Sequence, residues 1–157
     1  MFNKSEYNKK YYAENKEYYQ EYLKEWHKQY KGYYLYIILN GQEVLYVGMT
    51  TNYYNRINVH VNGLVEATKD IFDSGNWTSI KFIELTNIVS SEMELKLLEN
   101  TLIDLYEPPC NSVKNIIKEM DKLRELELLS YLHSAIDDWK IYKINENKEE
   151  LTEKNVK

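Results

Sequence analysis

Apolar residues change their spacing several times along the chain, and each change marks the start of another predicted element. Residues 4–30 contain neither glycine nor proline, and their aromatic residues recur mainly at intervals of four and seven, as on one side of a helix. Gly32 follows as the usual stop signal. We therefore predict one N-terminal helix within residues 1–31, a Tyr/Lys-rich amphipathic segment. Its aromatic positions include Tyr7, Tyr11, Tyr18, Tyr22, Trp26 and Tyr30.

A β-hairpin is predicted directly after Gly32. Residues 33–39 are rich in aromatic and branched side chains, which is typical of a strand. Asn40-Gly41 is a strong turn signal because both residue types accept positive φ. Residues 43–47 supply the second strand, and residues 78–85 have the composition of a third.

Three further helical segments follow from the spacing of apolar residues. The first begins at Asn52, and the second is capped by Ser90 or Ser91 and stops at Pro108-Pro109. The third is a long amphipathic helix over residues 113–139, within a C-terminal segment of residues 112–144. Residues 145–157 form a polar tail.

Composition and charge exclude several classes of protein. Cys110 is the single cysteine, which excludes an internal disulfide scaffold and a cysteine-rich zinc site and suits a reducing, cytoplasmic setting. No apolar run is long enough to span a membrane. The net charge of −5 is uneven: residues 1–31 carry +2, residues 32–111 carry −6, and residues 112–157 carry −1.

Polar residues within the predicted core form a candidate active site. Arg56 and His60 are four positions apart, so they extend from one helical face. Tyr34 and Tyr46 lie on paired strands, where even offsets from the turn place them on one sheet face. Each tyrosine also has an ordinary interpretation as a packing residue.

Two more candidates lie in the second half of the core. Glu99 follows two leucines on an apolar helix face, where a carboxylate needs a partner that either a metal or a salt bridge provides. Asn111 follows the two prolines and is also suited to an ordinary turn.

These residues, in this order, resemble the signature of the GIY-YIG nucleases over residues 32–111. The matching positions are Gly32-Tyr33-Tyr34, Tyr46-Val47-Gly48, Arg56-x3-His60, Glu99 within Leu98–Ile103, and Pro108-x2-Asn111. The resemblance implies an α+β fold, with a small three-stranded antiparallel sheet flanked by helices and added N-terminal and C-terminal helices. It also implies DNA as substrate and one divalent cation, Mg²⁺ or Mn²⁺, as cofactor.

The resemblance also implies a role for each site residue. Glu99 would hold the metal, and Arg56 would bind the scissile phosphate. Tyr34 would activate or orient the attacking water, with Tyr46 positioning it and His60 supporting Tyr34. In the same family pattern, Asn111 would bind substrate or fix the helix end near the site.

The sequence leaves two functions open. The first is a metal-dependent DNA endonuclease, with a slight lean toward a phage enzyme from the Lys/Tyr/Asn-rich composition. The second is a weakly active or inactive nucleic-acid-binding adaptor on the same fold, because a core charge of −6 opposes DNA binding without a partner. The N-terminal aromatic stripe is expected to pack on the core; nucleic-acid contact and self-association are the alternatives. A homodimer through the N- or C-terminal helix also stays open.

Overall fold

The computed structural model describes residues 3–147, which form two compact units, Met1–Lys31 and Gly32–Lys157. The helices are α1 Lys4–Glu14, α2 Lys16–Lys28, α3 Tyr53–Val61, α4 Lys69–Ser74, α5 Glu92–Tyr106 and α6 Lys122–Ala135. The strands are β1 Lys31–Asn40, β2 Glu43–Asn52, β3 Ser79–Glu84 and β4 Lys140–Ile144, and a short 3₁₀ turn spans Glu66–Thr68. Most of the predicted polar tail, from residue 148 onward, lies outside the described residues.

The first unit consists of two helices rather than the single predicted helix. Asn15 separates them: its backbone N–H and its side-chain Nδ2 both donate to the Tyr11 carbonyl, at 3.1 and 2.8 Å. Asparagine competes in this way with regular helical bonding, and the spacing of tyrosines does not report it. Neither helix contains a buried residue, and Tyr7 stacks on Tyr11 with ring centroids 6.2 Å apart.

The second unit is an α+β domain built on a four-stranded sheet of order β2-β1-β3-β4. The hairpin is present, although among the described residues at the turn only Gly41 has positive φ (63°), so the tight connection is Gly41-Gln42. Strand β3 pairs antiparallel with β1, with Tyr36 opposite Phe82, and β4 pairs antiparallel with β3. The prediction of three strands was one strand short.

The C-terminal segment explains the missing strand. The expected helix over residues 113–139 is confined to α6, and residues 111–121 are irregular. Val113 and Ile116, counted as apolar positions of that helix, are 81% and 90% exposed. Residues 140–144 add to the sheet as β4 beside β3, and this pairing depends on an edge that the helical pattern does not reveal.

The central strand β1 is buried on both faces, which accounts for its continuous apolar run. Leu35, Ile37 and Leu39 face a core formed with α5 and α6. Tyr36 and Ile38 face a second core that includes Ile57 of α3. Because side chains alternate along a strand, Tyr34 and Tyr36 both lie on the face of β1 that α3 covers.

Helix α5 begins and ends at the residues that the sequence indicates. The Ser91 hydroxyl accepts the Glu94 N–H at 3.3 Å, and the Glu94 carboxylate accepts the Ser90 N–H at 2.8 Å. At the other end Glu107 adopts a left-handed conformation (φ 45°) immediately before Pro108. These caps fix the length and rotation of the helix that carries Glu99.

No helix among residues 3–147 is both long enough and apolar enough to cross a bilayer.

Candidate active site

The centre of the candidate site is the hydroxyl group of Tyr36 on β1. Arg56 Nε donates to it at 3.0 Å, and His60 Nε2 lies 2.8 Å away. Tyr36 and His60 are fully buried, and Arg56 is half-buried. The i, i+4 spacing on α3 therefore directs the guanidinium and the imidazole to one oxygen atom, as the sequence predicts for this helix.

His60 is the middle member of a short chain of hydrogen bonds. Its Nδ1 lies 2.6 Å from the hydroxyl of Thr68, which is fully buried in the 3₁₀ turn. Burial, together with the charge of Arg56, lowers the pKa of His60 to about 3. The imidazole is therefore neutral at physiological pH. With Nδ1–H donating to Thr68, Nε2 accepts the proton of Tyr36.

Burial dominates the ionisation of Tyr36. It raises the pKa of the phenol above its ordinary value, and Tyr46 and Glu99 raise it further, whereas Arg56 lowers it. Tyr36 is thus a neutral hydroxyl in the resting protein. The oxygen accepts from Arg56, and in the His60 tautomer that carries its proton on Nδ1 the Tyr36 proton is directed at Nε2.

Tyr46 on β2 completes the aromatic wall of the site. Its ring centroid lies 6.1 Å from Tyr36 and 5.2 Å from His60, and its side chain is hydrogen-bonded to Arg56. Gly48 follows on the same strand. A Cβ atom there would lie 2.2 Å from the Tyr36 hydroxyl, so only glycine leaves room for Tyr36.

Tyr34 does not join this cluster, contrary to the expectation that His60 supports it. Its ring packs edge-on against Tyr53 at 4.8 Å and against Phe82 at 6.2 Å. Burial and the charge of Glu84 raise the pKa of Tyr34. Two residues along a strand correspond to about 7 Å, which separates its hydroxyl from the site although Tyr34 and Tyr36 share a face.

Glu99 is buried on α5 and is 9% exposed. Burial raises its pKa, while hydrogen bonds from the Asn115 amide and the Met49 backbone, together with the nearby charge of Arg56, lower it. The two hydrogen-bond donors are neutral, so they solvate the carboxylate without cancelling its charge. A divalent cation fits this environment, because it supplies the compensating charge that a buried carboxylate needs.

The donor set around Glu99 also bears on the metal. Within residues 3–147 no three His, Cys, Asp or Glu side chains converge as a ready-made metal cluster. A hard cation at Glu99 would therefore complete its shell with water and phosphate oxygens, which is usual for Mg²⁺.

Asn111 has both ends of its side-chain amide bound to one backbone unit. Oδ1 accepts the Val47 N–H and Nδ2 donates to the Val47 carbonyl, each at 2.8 Å. Val47 lies between Tyr46 and Gly48, so Asn111 fixes the part of β2 that borders the site. These two hydrogen bonds give Asn111 a structural role at the site, and substrate binding by its amide stays a prediction.

Comparisons with known proteins place the chain in a family. The model of the GIY-YIG catalytic domain matches residues 32–114, slightly more than half of the chain. Among solved structures, a point mutant of the GIY-YIG N-terminal endonuclease domain of UvrC from Thermotoga maritima, bound to its catalytic divalent cation, is 24% identical. That match covers 53% of this chain and 86% of the other, with a TM-score of 0.44.

The magnesium-bound form of the same UvrC domain is 26% identical, covering 52% of this chain and 85% of the other, with a TM-score of 0.43. No curated protein matches the chain significantly.

Sequence reasoning missed Tyr36, although a signal for it exists. The triplet Tyr34-Leu35-Tyr36 keeps the aliphatic and tyrosine positions of a Gly-Ile-Tyr motif, whereas Gly32-Tyr33-Tyr34 keeps the glycine and the tyrosine. The glycine at position 32 favoured aligning the motif with Gly32-Tyr33-Tyr34. The structure supplies another reason for that glycine, since a Cβ atom there would lie 2.3 Å from the Thr86 hydroxyl.

Proposed function

The chain belongs to the GIY-YIG family, and on that premise we propose that it is a metal-dependent endonuclease that hydrolyses phosphodiester bonds in DNA. The observation that carries the proposal is the convergence of Arg56 and His60 on the buried Tyr36 hydroxyl. A nuclease needs a positioned proton acceptor and a fixed positive charge at one point, and this cluster provides both.

Tyr36 is assigned the role of activating the attacking water. The water gives its proton to the phenolic oxygen while Tyr36 passes its own proton to His60 Nε2, so the phenol remains neutral. The low pKa of His60 makes it a weak acceptor in the resting protein. Burial is the main cause of that low pKa and the guanidinium charge adds to it; a bound phosphodiester anion beside Arg56 would offset the second contribution, which favours the transfer when substrate is present.

Arg56 is assigned the scissile phosphate. Its Nε is already bound to Tyr36, which fixes the plane of the guanidinium and leaves the terminal nitrogens to contact phosphate oxygens. Tyr46 lies beside this pair on the other strand, with its ring centroid 6.1 Å from that of Tyr36, and contributes to raising the pKa of Arg56. The hydrogen bond between Arg56 and Tyr36 links the phosphate-binding group to the water-activating group, so the two are positioned together.

Glu99 is assigned the metal, Mg²⁺ or Mn²⁺. When bound, the ion supplies Lewis-acid stabilisation of the charge on the leaving 3′ oxygen. The buried position of Glu99 strengthens its attraction for a cation, because water screens it poorly. Asn111 is assigned a positioning role through the Val47 backbone.

The test is a plasmid-nicking assay with Mg²⁺ or Mn²⁺, comparing the wild-type protein with Glu99→Gln. We expect the substitution to abolish cleavage while DNA binding persists, because the change removes metal affinity and leaves Arg56 in place. Glu92→Gln, at an exposed position on the same helix, is the matched control and should cleave like the wild-type protein. Normal cleavage by Glu99→Gln at saturating metal would refute the assignment.

A second candidate function rests on the charge of −6 carried by residues 32–111. An adaptor that needs a partner to bind DNA would fail to nick plasmid alone even with Mn²⁺. It would nick once a partner supplied a basic surface. If the isolated chain cleaves plasmid and Glu99→Gln does not, the result supports the endonuclease and excludes the adaptor.

A further inference from the structure

Asn115 contacts Glu99, the candidate metal ligand, although it lies just beyond residues 32–114, which match the family model. It lies in the irregular segment between α5 and α6, and its side-chain Nδ2 donates a short hydrogen bond to Oε2 of Glu99. The donor is a neutral amide, so it orients the carboxylate without competing with a cation for its charge.

The backbone of Asn115 is held independently of its side chain. The Asn115 N–H donates to Oδ1 of Asn100 at 2.8 Å, and Nδ2 of Asn100 donates to the Asn115 carbonyl at 2.9 Å. Asn100 is the residue that follows Glu99 on α5. One turn of the helix thus presents both the carboxylate and the side chain that holds the residue orienting that carboxylate.

We propose that Asn115 is a positioning residue for metal binding, which sets the rotation of the Glu99 carboxylate and is itself placed by Asn100. The inference rests on the proposed function, because it assumes a cation at Glu99. A carboxylate that is already oriented by a hydrogen bond loses less conformational freedom when it binds the ion. Mutating a residue that orients a metal ligand commonly lowers metal affinity by about 10–100-fold.

The arrangement also allows a selective test. Asn115→Ala removes the contact to Glu99 and a longer side-chain contact to Asn100 (3.2 Å), but it keeps both backbone hydrogen bonds to Asn100. The substitution therefore leaves the path of the segment in place. A purely structural residue would lower the melting temperature, whereas a positioning residue would lower metal affinity.

The experiment measures Mn²⁺ binding to the full chain by calorimetry without DNA, together with the melting temperature of the metal-free protein. We expect Asn115→Ala to weaken Mn²⁺ binding by about 10–100-fold. Its melting temperature should fall no further than that of the control variant Asn145→Ala described below, which also loses hydrogen bonds of a buried group. In the nicking assay, the Mg²⁺ concentration for half-maximal rate should rise by a similar factor, with a smaller change at saturating Mg²⁺.

Asn145→Ala is the matched control. Asn145 is a buried asparagine whose Nδ2 donates to the carbonyls of Trp77 and Gly75, at 2.8 and 3.1 Å, beside strand β4. We expect this variant to lower the melting temperature without changing the Mn²⁺ affinity. Asn100→Ala should weaken Mn²⁺ binding, and adding Asn115→Ala to it should weaken binding little further, since both act through one contact.

Two outcomes would overturn the inference and are distinguishable from each other. If Asn115→Ala binds Mn²⁺ as the wild-type protein does while Glu99→Gln does not, the positioning role fails and the proposed function stands. If Glu99→Gln keeps wild-type Mn²⁺ affinity, the metal assignment in the proposed function fails, and the role of Asn115 fails with it.

Discussion

Two tyrosines on β1, Tyr34 and Tyr36, point to the same side of the sheet but differ in what surrounds their hydroxyl groups. Tyr36 is bound by Arg56 and His60, whereas Tyr34 lies among Tyr53, Phe82 and the polar groups at the end of β3. The family motif read from the sequence assigned the water-activating role to Tyr34. The hydrogen bonds favour Tyr36.

A pair of matched substitutions separates the two tyrosines. We expect Tyr36→Phe to lower the nicking rate by about 10²–10³, because it removes the proton carrier between water and His60. Tyr34→Phe should stay within a few-fold of the wild-type rate, since its hydroxyl contacts neither residue. Both variants keep the ring, so their melting temperatures serve as the control for folding. The reverse order of rates would return the role to Tyr34.

The buried imidazole of His60 makes folding stability depend on pH in a defined direction. The pKa of His60 is about 3 in the folded protein, below the ordinary value of 6.5, so only the unfolded chain takes up a proton between these values. The contribution is fully present above about pH 6.5. The contribution of His60 to the free energy of unfolding falls by at most ~1.4 kcal/mol per pH unit as the pH drops toward 3.

Melting curves between pH 7 and pH 4 check this prediction. The wild-type protein should lose stability across the range more steeply than His60→Asn, which has no imidazole to protonate. Because other groups titrate equally in both proteins, the difference between the two slopes isolates His60. Equal slopes would mean that the imidazole is as easily protonated in the folded protein as in the unfolded chain.

Helices α5 and α6 are joined by one ion pair that lies largely away from solvent. Arg124 of α6 donates to the Glu94 carboxylate at 2.8 and 3.0 Å and to the Ile88 carbonyl at 2.6 Å. The Arg124 hydrogen bond holds the pKa of Glu94 at about 2, below its ordinary value of 4.5. Since Glu94 also caps α5, this pair anchors the helix that presents Glu99.

Removing the arginine should destabilise the domain. We expect Arg124→Ala to lower the free energy of unfolding at neutral pH, because it leaves the Glu94 carboxylate without its main donor. The loss should shrink as the pH falls from about 4.5 toward 2, where the wild-type pair is itself broken by protonation. Urea unfolding at several pH values measures it.

Lys122→Ala is the surface control for that measurement. Lys122 lies 3.9 Å from Glu125 on the same helix with its side chain 89% exposed, so its removal should change stability by less than about 1 kcal/mol. An equal effect of the two substitutions would show that the pair between Arg124 and Glu94 contributes no more than a surface pair.

At the scale of the whole molecule, the chain consists of a helical unit, Met1–Lys31, and a second unit, Gly32–Lys157, that contains the sheet. The buried residues of both core clusters lie between positions 35 and 132. The N-terminal unit contributes seven lysines and five glutamates, and five of its seven tyrosines are exposed, whereas Tyr19 and Tyr30 are half-buried. The excess of lysines and the aromatic side chains of this unit are suited to nucleic-acid contact, which we test against the predicted packing of the stripe on the core.

Deleting residues 1–31 tests this view. We expect the protein of residues 32–157 to keep its melting temperature within a few degrees, to bind DNA more weakly and to show a shallower salt dependence. A stripe that packs on the core would instead cost several kcal/mol, at roughly 1.5–3 kcal/mol for each large side chain removed from water. Early melting of the truncated protein would restore the packing interpretation.

The sequence alone determined the features that depend on neighbouring residues. Serine and proline set the ends of α5, and Gly41 set the hairpin, because caps and turns are local in the chain. The spacing of Arg56 and His60 placed both side chains on one face of α3, since four residues make about one helical turn.

Only the tertiary structure decided the features that depend on distant partners. Tyr34 and Tyr36 are equivalent by alternation, and the packing of α3 against β1 selects the one that Arg56 reaches. Residues 140–144 form a fourth strand because they pair with the exposed edge of β3.

The side chain of Asn100 forms hydrogen bonds with the backbone N–H and C=O of Asn115. These backbone groups are then not available for the helix predicted over residues 113–139. Helical periodicity registers which residues are apolar, but it carries no information about which polar group the backbone will meet once the chain has folded.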